Sequence, residues 1–166
     1  INHSNDLRKR NTDNSSVLGE EGIHVWASRA IEAGEEIFMS YDNCHDCYNT
    51  PDEWGTPEIL RDFGFVETYP QTFYFREAQA LFIVDKITND EDNNGETDDL
   101  EIEWQVYDSP SAEGIDWMKE EYQRLQDLQY GGFLAKTRHL MPKEEWNTIF
   151  QYHQSLTAAL HRAIQV

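Results

Sequence analysis

The stretch Gly34–Tyr41 reads Gly-Glu-Glu-Ile-Phe-Met-Ser-Tyr, a turn followed by an apolar run that closes on a tyrosine. Gly34 can adopt the positive φ that a tight turn requires, and the run from Ile37 to Tyr41 predicts a β-strand. Upstream, Ile23–Ile31 places mostly apolar side chains at odd positions, which is typical of a half-buried strand. Because the two runs flank a turn at residues 32–35, the sequence predicts a β-hairpin.

The regions on either side of this predicted hairpin have the composition of loops. Residues 5–22 are polar and rich in asparagine, serine and glycine, and residues 42–55 are again loop-like. Beyond them, Thr56-Pro57 predicts the start of a short helix with Thr56 as its N-cap. Gly64 predicts its end.

The rest of the chain predicts three strands and then two helices. An acidic run at residues 89–99 is expected to be a loop between the last two strands, which are predicted at Phe73–Phe75, Ala80–Ile87 and Leu100–Tyr107. Apolar residues recur at spacings of three and four over Ser111–Tyr130 and Pro142–Gln165, which predicts two amphipathic helices. Strands followed by helices indicate an α+β fold.

Composition and charge argue against several classes of function. The net charge of −19, from 32 acidic and 13 basic residues, disfavours a nucleic-acid partner, since phosphate binding needs clustered lysine and arginine. No apolar stretch approaches the ~20 residues that a membrane-spanning helix needs, so no membrane partner is expected. An acidic surface attracts lysine-rich proteins, although a solubilising surface without a partner is the simpler explanation of the charge.

The chain contains two cysteines, Cys44 and Cys47. Two thiols cannot form a disulfide scaffold, and they favour a reducing intracellular compartment, the cytoplasm or the nucleus, with a plastid also open. Together with His45 they could supply part of a zinc site, but zinc prefers four ligands in a tetrahedral array. Ordinary loop cysteines are therefore the preferred interpretation, and no metal is assigned.

Three short motifs gain weight from the order in which they occur. They are Asn2-His3-Ser4, the turn and strand Gly34–Tyr41, and Phe63-Gly64-Phe65-Val66. Each alone has an ordinary structural explanation. In this order they resemble the second half of the SET domain of protein methyltransferases, and the fit is closest to the branch typified by the plant Rubisco large-subunit methyltransferase. The longer runs Ala30–Ile37 and Leu60–Val66 reproduce the pattern of that branch.

The resemblance implies a fold for the whole chain. Residues 1–66 would be the C-terminal part of a SET domain, with a knot-like crossing in which the Asn-His segment threads a loop formed by the later strand. Residues 67–108 would be strands that follow the SET domain. Residues 109–166 would be a helical region comparable to the one that helps hold the substrate. Since family members begin with a glycine-rich cofactor-binding segment and this chain opens at Ile1, we expect it to be a fragment of a longer protein.

The resemblance also implies roles for individual residues. Asn2 and His3 would contact S-adenosylmethionine, the asparagine through its side chain and the histidine largely through its backbone. Tyr41 would be catalytic and would point its hydroxyl at the transferring methyl group of the cofactor. Phe65 would pack against the adenine, and Phe63 would line the channel for the substrate lysine.

The implied activity is S-adenosylmethionine-dependent methylation of a lysine on a protein substrate. Burial in an aromatic channel favours the neutral, nucleophilic form of the lysine by desolvation, and a tyrosine hydroxyl can orient the amine. The fragment alone is expected to be inactive. Two alternatives stay open: a protein-histidine methyltransferase, and a non-catalytic SET-derived interaction module. Asp42 departs from the nearest branch, which has glycine after the tyrosine.

Overall fold

The computed structural model describes residues 1–15, 24–41, 54–87, 99–105 and 110–166. Within these ranges the chain combines small β-sheets with helices, so the predicted α+β class is confirmed. Cys44, Cys47 and all but the last residue of the predicted acidic loop lie outside the described residues. None of the described helices is both long enough and apolar enough to cross a membrane.

Four short strands form two two-stranded sheets in the N-terminal part of the chain. Strand β1 (Asn2–His3) pairs in parallel with β4 (Phe38–Met39), and β2 (Thr12–Ser15) pairs antiparallel with β3 (His24–Ala27). The parallel pair joins residues far apart in sequence. The knot-like crossing itself stays a prediction.

The predicted hairpin between Ile23–Ile31 and Ile37–Tyr41 is wrong. In the described part of the chain, β3 takes its ladder partner from β2, which lies in the segment predicted to be a loop, and β4 takes its partner from β1. The strand run 12–15 was missed because its side chains, Thr-Asp-Asn-Ser, are polar and give no apolar alternation.

The buried side chain of Asn11 explains why β4 does not pair with β3. Its carboxamide oxygen accepts the N–H of Phe38 at 2.9 Å, and its nitrogen donates to the carbonyl of Glu36 at 2.8 Å. The backbone N–H of Asn11 also donates to the carbonyl of Phe38 at 3.2 Å. One asparagine therefore occupies the backbone groups that a neighbouring strand would use.

Helix α1 (Thr56–Phe63) begins one residue earlier than predicted. Gly55, rather than Thr56, is the N-cap, and the side chain of Glu58 accepts the Gly55 N–H at 3.1 Å. Thr56 instead lies fully buried in the first turn. The predicted end is confirmed, because Gly64 adopts φ +76° and its N–H donates to the carbonyl of Leu60.

The three predicted strands form one antiparallel sheet, and the two predicted long helices are present. The sheet has the order β5 (Gln71–Phe75), β6 (Ala80–Lys86) and β7 (Leu100–Trp104); the predicted end of the last strand at Tyr107 lies outside the described residues. The helices are α2 (Ala112–Tyr130), the short α3 (Phe133–Thr137) with a 3-10 turn at Arg138–Leu140, and α4 (Lys143–Ala163).

The largest core lies between this sheet and helices α2 and α4. Phe73, Phe82 and Val84 from the sheet are fully buried against Met118 of α2 and Leu160 of α4. Alternate side chains of β6 point into this core, as a strand with one covered face requires. The sheet and the helical region therefore share a single core, and this core supports the segment that leads from α1 into β5.

Candidate functional site

The Asn-His motif lies directly against the strand that leads to Tyr41. The pairing of β1 with β4 places Asn2 opposite Phe38 and His3 opposite Met39. Two backbone hydrogen bonds hold the segments together, from the Asn2 N–H to the Ile37 carbonyl at 3.0 Å and from the Ser4 N–H to the Met39 carbonyl at 2.9 Å. The two motifs thus meet in space although the sequence separates them.

Four rings from three segments form what we call the aromatic cluster, namely His3, Tyr41, Phe63 and Phe65. Ring centroids lie 5.0 Å apart for His3 and Tyr41, and 4.7 Å apart for Tyr41 and Phe63. Phe65 lies 5.7 Å from His3 and 6.5 Å from Tyr41. These are the tilted and edge arrangements that aromatic rings favour. The structure therefore brings together four of the five residues to which the sequence assigned a role.

Helix α1 and the glycine that ends it deliver the two phenylalanines to this cluster. Phe63 is the last residue of α1, and the left-handed conformation of Gly64 reverses the chain so that Phe65 follows on the same side as Phe63. Phe63 is 51% exposed, whereas the side chain of His3 is only 4% exposed. The cluster therefore runs from a buried imidazole to an open aromatic face, to which a flat or cationic ligand can bind.

Both polar ends of Tyr41 make hydrogen bonds to residues 1–3. Its backbone N–H donates to Nδ1 of His3 at 3.0 Å, and its hydroxyl donates to the carbonyl of Ile1 at 3.1 Å. A phenol that donates its proton keeps lone pairs with which it can accept a hydrogen bond from an amine. Tyr41 thus has the chemistry needed to orient a nucleophile without acting as one.

Asn2, the fifth predicted residue, lies beside the cluster without joining its ring contacts. Its side chain is exposed, and its carboxamide nitrogen donates to a carboxylate oxygen of Glu36. Glu36 belongs to the Gly-Glu-Glu turn, so the two motifs are joined by a side-chain hydrogen bond as well as by the β1–β4 ladder. The assigned role of Asn2 in cofactor binding stays a prediction.

A charged pair stabilises the turn that precedes β4. Arg29 donates to the carboxylate of Glu35, which also accepts the Glu32 N–H at 3.0 Å and the Asn11 side-chain amide at 3.1 Å. The Arg29 guanidinium is the largest cause that lowers the pKa of Glu35 from 4.5 to about 2, followed by the Glu32 N–H and the Asn11 amide. Glu35 therefore stays ionised and keeps this turn tied to Asn11 at neutral pH.

Glu67 is the residue at this site that sequence reasoning missed. Its side chain is completely buried, and it contacts His3, Asn5 and Thr56. In a chain with 32 acidic residues, one more glutamate after an apolar run does not stand out. The only usable sequence signal was its position directly after Phe63–Val66, where the chain enters the core.

Potential metal ligands do not gather into one group in the described part of the chain. Those residues contain no group of three or more histidine, cysteine, aspartate or glutamate side chains placed to hold a metal ion. The candidate from the sequence, Cys44 and Cys47 with His45, lies outside the described residues.

Comparisons of the chain with protein families, with curated proteins and with solved structures find no match. The candidate site therefore rests on the geometry of its own residues and on the order of their motifs in the sequence.

Proposed function

We propose that this chain is part of an S-adenosylmethionine-dependent protein-lysine N-methyltransferase, with Tyr41 as its catalytic residue. The observation that carries the proposal is the meeting of three separate motifs around Tyr41. The Asn-His strand pairs with the strand that leads to Tyr41, and the rings of Phe63 and Phe65 lie within 6.5 Å of the tyrosine ring. Motifs of a SET domain are expected to converge in this manner, whereas unrelated motifs have no reason to meet.

The residues present fit the cofactor on chemical grounds. Phe65 is half-buried and Phe63 is half-exposed, so the cluster offers one sheltered and one open aromatic face. Apolar aromatic faces bind a flat purine by stacking and a sulfonium cation by its attraction to the π-electrons. When bound, S-adenosylmethionine supplies the activated methyl group. Asn2 and His3 would hold it from β1, and Phe65 would pack on its adenine.

The chain's own residues would position the substrate and exclude water. Phe63, at the open side of the cluster, would line the path of the substrate lysine and favour its neutral form by desolvation. The Tyr41 hydroxyl would accept a hydrogen bond from the lysine amine and align its lone pair for attack. Because methyl transfer from a sulfonium needs alignment more than acid–base assistance, this arrangement requires no dedicated base. A histidine acceptor would use the same geometry. Two peptides separate the acceptors: methyl transfer to a peptide without lysine indicates histidine, and transfer to a peptide without histidine indicates lysine.

One observation favours a non-catalytic interaction module as the second candidate. The two polar groups expected to face the ligand, the Tyr41 hydroxyl and the Asn2 amide, both make hydrogen bonds within the chain. A catalytic protein would release the Asn2 amide to the ligand and would use the remaining lone pairs of the Tyr41 hydroxyl. An interaction module would keep both internal bonds and bind no cofactor.

The first measurement is a calorimetric titration of S-adenosylmethionine, followed by a methyl-transfer assay on a lysine-rich protein with the native, full-length protein. We expect saturable one-to-one binding that Asn2→Ala abolishes. We also expect Tyr41→Phe to retain binding and lose transfer. Tyr74→Phe on β5 is the matched control, because it removes a phenol hydroxyl outside the cluster. Transfer that survives Tyr41→Phe would reject Tyr41 as the catalytic residue. Full-length protein that neither binds the cofactor nor transfers a methyl group would reject the enzyme in favour of the module.

A further inference from the structure

A single buried carboxylate ties together the segments that build the aromatic cluster. Oε1 of Glu67 accepts a hydrogen bond from the side-chain amide of Asn5 at 3.1 Å and one from the hydroxyl of Thr56 at 2.7 Å. Oε2 lies 3.1 Å from Nε2 of His3, within ion-pair distance, although the N–H is not well aligned on the oxygen. Removing a carboxylate from water is unfavourable unless donors surround it, so these contacts hold Glu67 in one place.

The contact on the other side of the imidazole fixes the tautomer of His3. A backbone N–H can only donate, and the N–H of Tyr41 points at Nδ1 at 3.0 Å. Nδ1 must therefore present its lone pair, and the single ring proton lies on Nε2. Oε2 of Glu67 lies 3.1 Å from the nitrogen that carries this proton. The carboxylate thus selects the tautomer that can hold the backbone of Tyr41.

A second connection runs from the same carboxylate to the residue before the tyrosine. Asn5, which donates to Glu67, accepts the hydroxyl proton of Ser40 on its own Oδ1 at 2.8 Å. Ser40 is buried, with 4% of its surface exposed. Ser40 and Tyr41 are consecutive, so the two connections, one through His3 and one through Asn5, converge on the end of β4. The contact with Thr56 also connects Glu67 to helix α1, the helix that carries Phe63.

We propose that Glu67 is a positioning residue that holds Tyr41 in its orientation through the ring of His3. The inference rests on the proposed function only where it treats Tyr41 as catalytic. The positional effect itself concerns this chain's own residues and has its own readout. A role for the His3 side chain follows directly: its backbone would serve the ligand, while its ring transmits the position of Glu67 to Tyr41.

The first experiment needs no variant. Long-range ¹H–¹⁵N correlation spectra of the unmodified chain report which ring nitrogen of His3 carries the proton. We expect the Nε2–H tautomer at neutral pH, together with slow exchange of the Tyr41 amide proton. A ring protonated on Nδ1, or on both nitrogens, would overturn the inference whether or not the protein transfers methyl groups.

The second experiment replaces the carboxylate with an amide in Glu67→Gln. Whichever way the new side chain turns, its NH₂ group faces a donor, either His3 Nε2–H or the Asn5 amide, so one of the two connections to the end of β4 is lost. We expect the Tyr41 amide to exchange roughly tenfold faster, the scale of one lost hydrogen bond. Thr56→Val is the matched control, because it deletes a hydrogen bond to the same carboxylate but leaves the His3 connection. It should lower stability without changing the His3 tautomer.

The transfer assay then separates the two proposals. If the protein is a methyltransferase, Glu67→Gln should lower kcat by about tenfold or more while KM for S-adenosylmethionine changes little, since misalignment acts on the chemical step. An unchanged kcat in an active enzyme overturns the positioning role. If Tyr41 loosens in Glu67→Gln but the unmodified full-length protein transfers no methyl group, the positioning stands and the proposed function fails.

Discussion

The rings of Tyr41 and Phe63 lie with their centroids 4.7 Å apart, tilted by 40°. One residue follows strand β4 and the other ends helix α1, and no local feature of the sequence joins them. Phe63 is 51% exposed, so its ring shields one face of the tyrosine while its own outer face stays open to solvent. If the proposed function holds, a substrate side chain that approaches Tyr41 contacts this pair first.

Truncation of Phe63 should affect the protein substrate more than the cofactor. In Phe63→Ala we expect KM for a lysine-rich substrate to rise by about tenfold, the scale of one lost aromatic contact, with little change in S-adenosylmethionine affinity. Trp26→Ala on β3 is the control, because Trp26 is 48% exposed but lies outside the cluster. Equal effects in the two variants would remove Phe63 from the substrate channel.

The start of helix α2 packs so closely on the β5–β6 turn that only glycine fits there. A Cβ atom at Gly114 would lie 2.6 Å from the carbonyl oxygen of Ala78. Glycine-to-alanine changes in helices are usually neutral or stabilising, but here the backbone would have to move. We expect Gly114→Ala to cost about 1–3 kcal/mol, measured by urea unfolding, whereas Glu113→Ala in the same turn should change stability by less than ~0.5 kcal/mol. A stabilised Gly114→Ala variant would contradict the packing.

The Arg29–Glu35 pair predicts an acid-sensitive contribution to stability. The pKa of Glu35 falls from 4.5 to about 2 in the folded chain. The contribution of ionised Glu35 to the free energy of unfolding is therefore fully present above pH 4.5 and is lost as the pH falls towards 2. We therefore expect the difference in urea midpoint between the native sequence and Glu35→Gln to be larger at pH 6 than at pH 3. Salt should reduce it, because the pair is exposed.

Removing the cation provides the control for this prediction. In an Arg29→Met background, Glu35→Gln should have a much smaller effect that depends less on pH, since the hydrogen bond from Arg29 is the largest cause of the lowered pKa. An undiminished effect in that background would assign the stabilisation to the Asn11 and Glu32 contacts instead.

His153 on α4 predicts a second pH dependence with a different origin. Burial lowers the pKa of this imidazole from 6.5, and the charge of Arg124 lowers it further. Burial favours the neutral form of His153. The stability that depends on this neutral form is fully present above pH 6.5 and is lost as the pH falls through the lower pKa of the folded state. Between pH 7.5 and pH 5, the His153→Leu variant should lose less stability than the native sequence. The measurement is thermal unfolding of both proteins at each pH.

Arg124→Met tests the second cause of that shift. With the cation gone, burial alone should lower the pKa of His153, and the loss of stability on acidification should shrink in part. If His153→Leu and the native sequence lose stability in parallel over this range, the histidine is accommodated in its charged form, and the interpretation of its burial is wrong.

The long helices and the three-stranded sheet could be predicted from the sequence because their signals are local. Periodic apolar residues predicted α2 and α4. Ser111 caps α2 by accepting the N–H of Gly114, a role typical of serine. The strand predicted at Ala80–Ile87 is present as β6, and its residues alternate between buried and half-buried. In these helices and strands, whether a side chain is buried or exposed follows the period of the backbone, so the order of apolar residues reveals the element.

The prediction that these residues meet at one site depended on the family resemblance as much as on local sequence patterns. The order of the three motifs indicated that Asn2, His3, Tyr41, Phe63 and Phe65 belong together, and the structure places four of them in one cluster with the fifth beside it. Their chemical roles remain a proposal that Tyr41→Phe and the calorimetric titration test. No periodicity in the sequence would have paired β1 with β4.

The sequence by itself determined the α+β class, helices α1, α2 and α4, the main sheet and the residues worth testing, because those features depend on neighbours along the chain. It did not predict the short helix α3. Only the tertiary structure decided which strands pair, since Asn11 occupies the backbone of Glu36 and Phe38 by long-range hydrogen bonds that no local pattern encodes. It also singled out Glu67 among 32 acidic residues. A carboxylate's importance depends on what surrounds it after folding, and Glu67 is buried against two distant segments at once, one with His3 and Asn5 and one with Thr56.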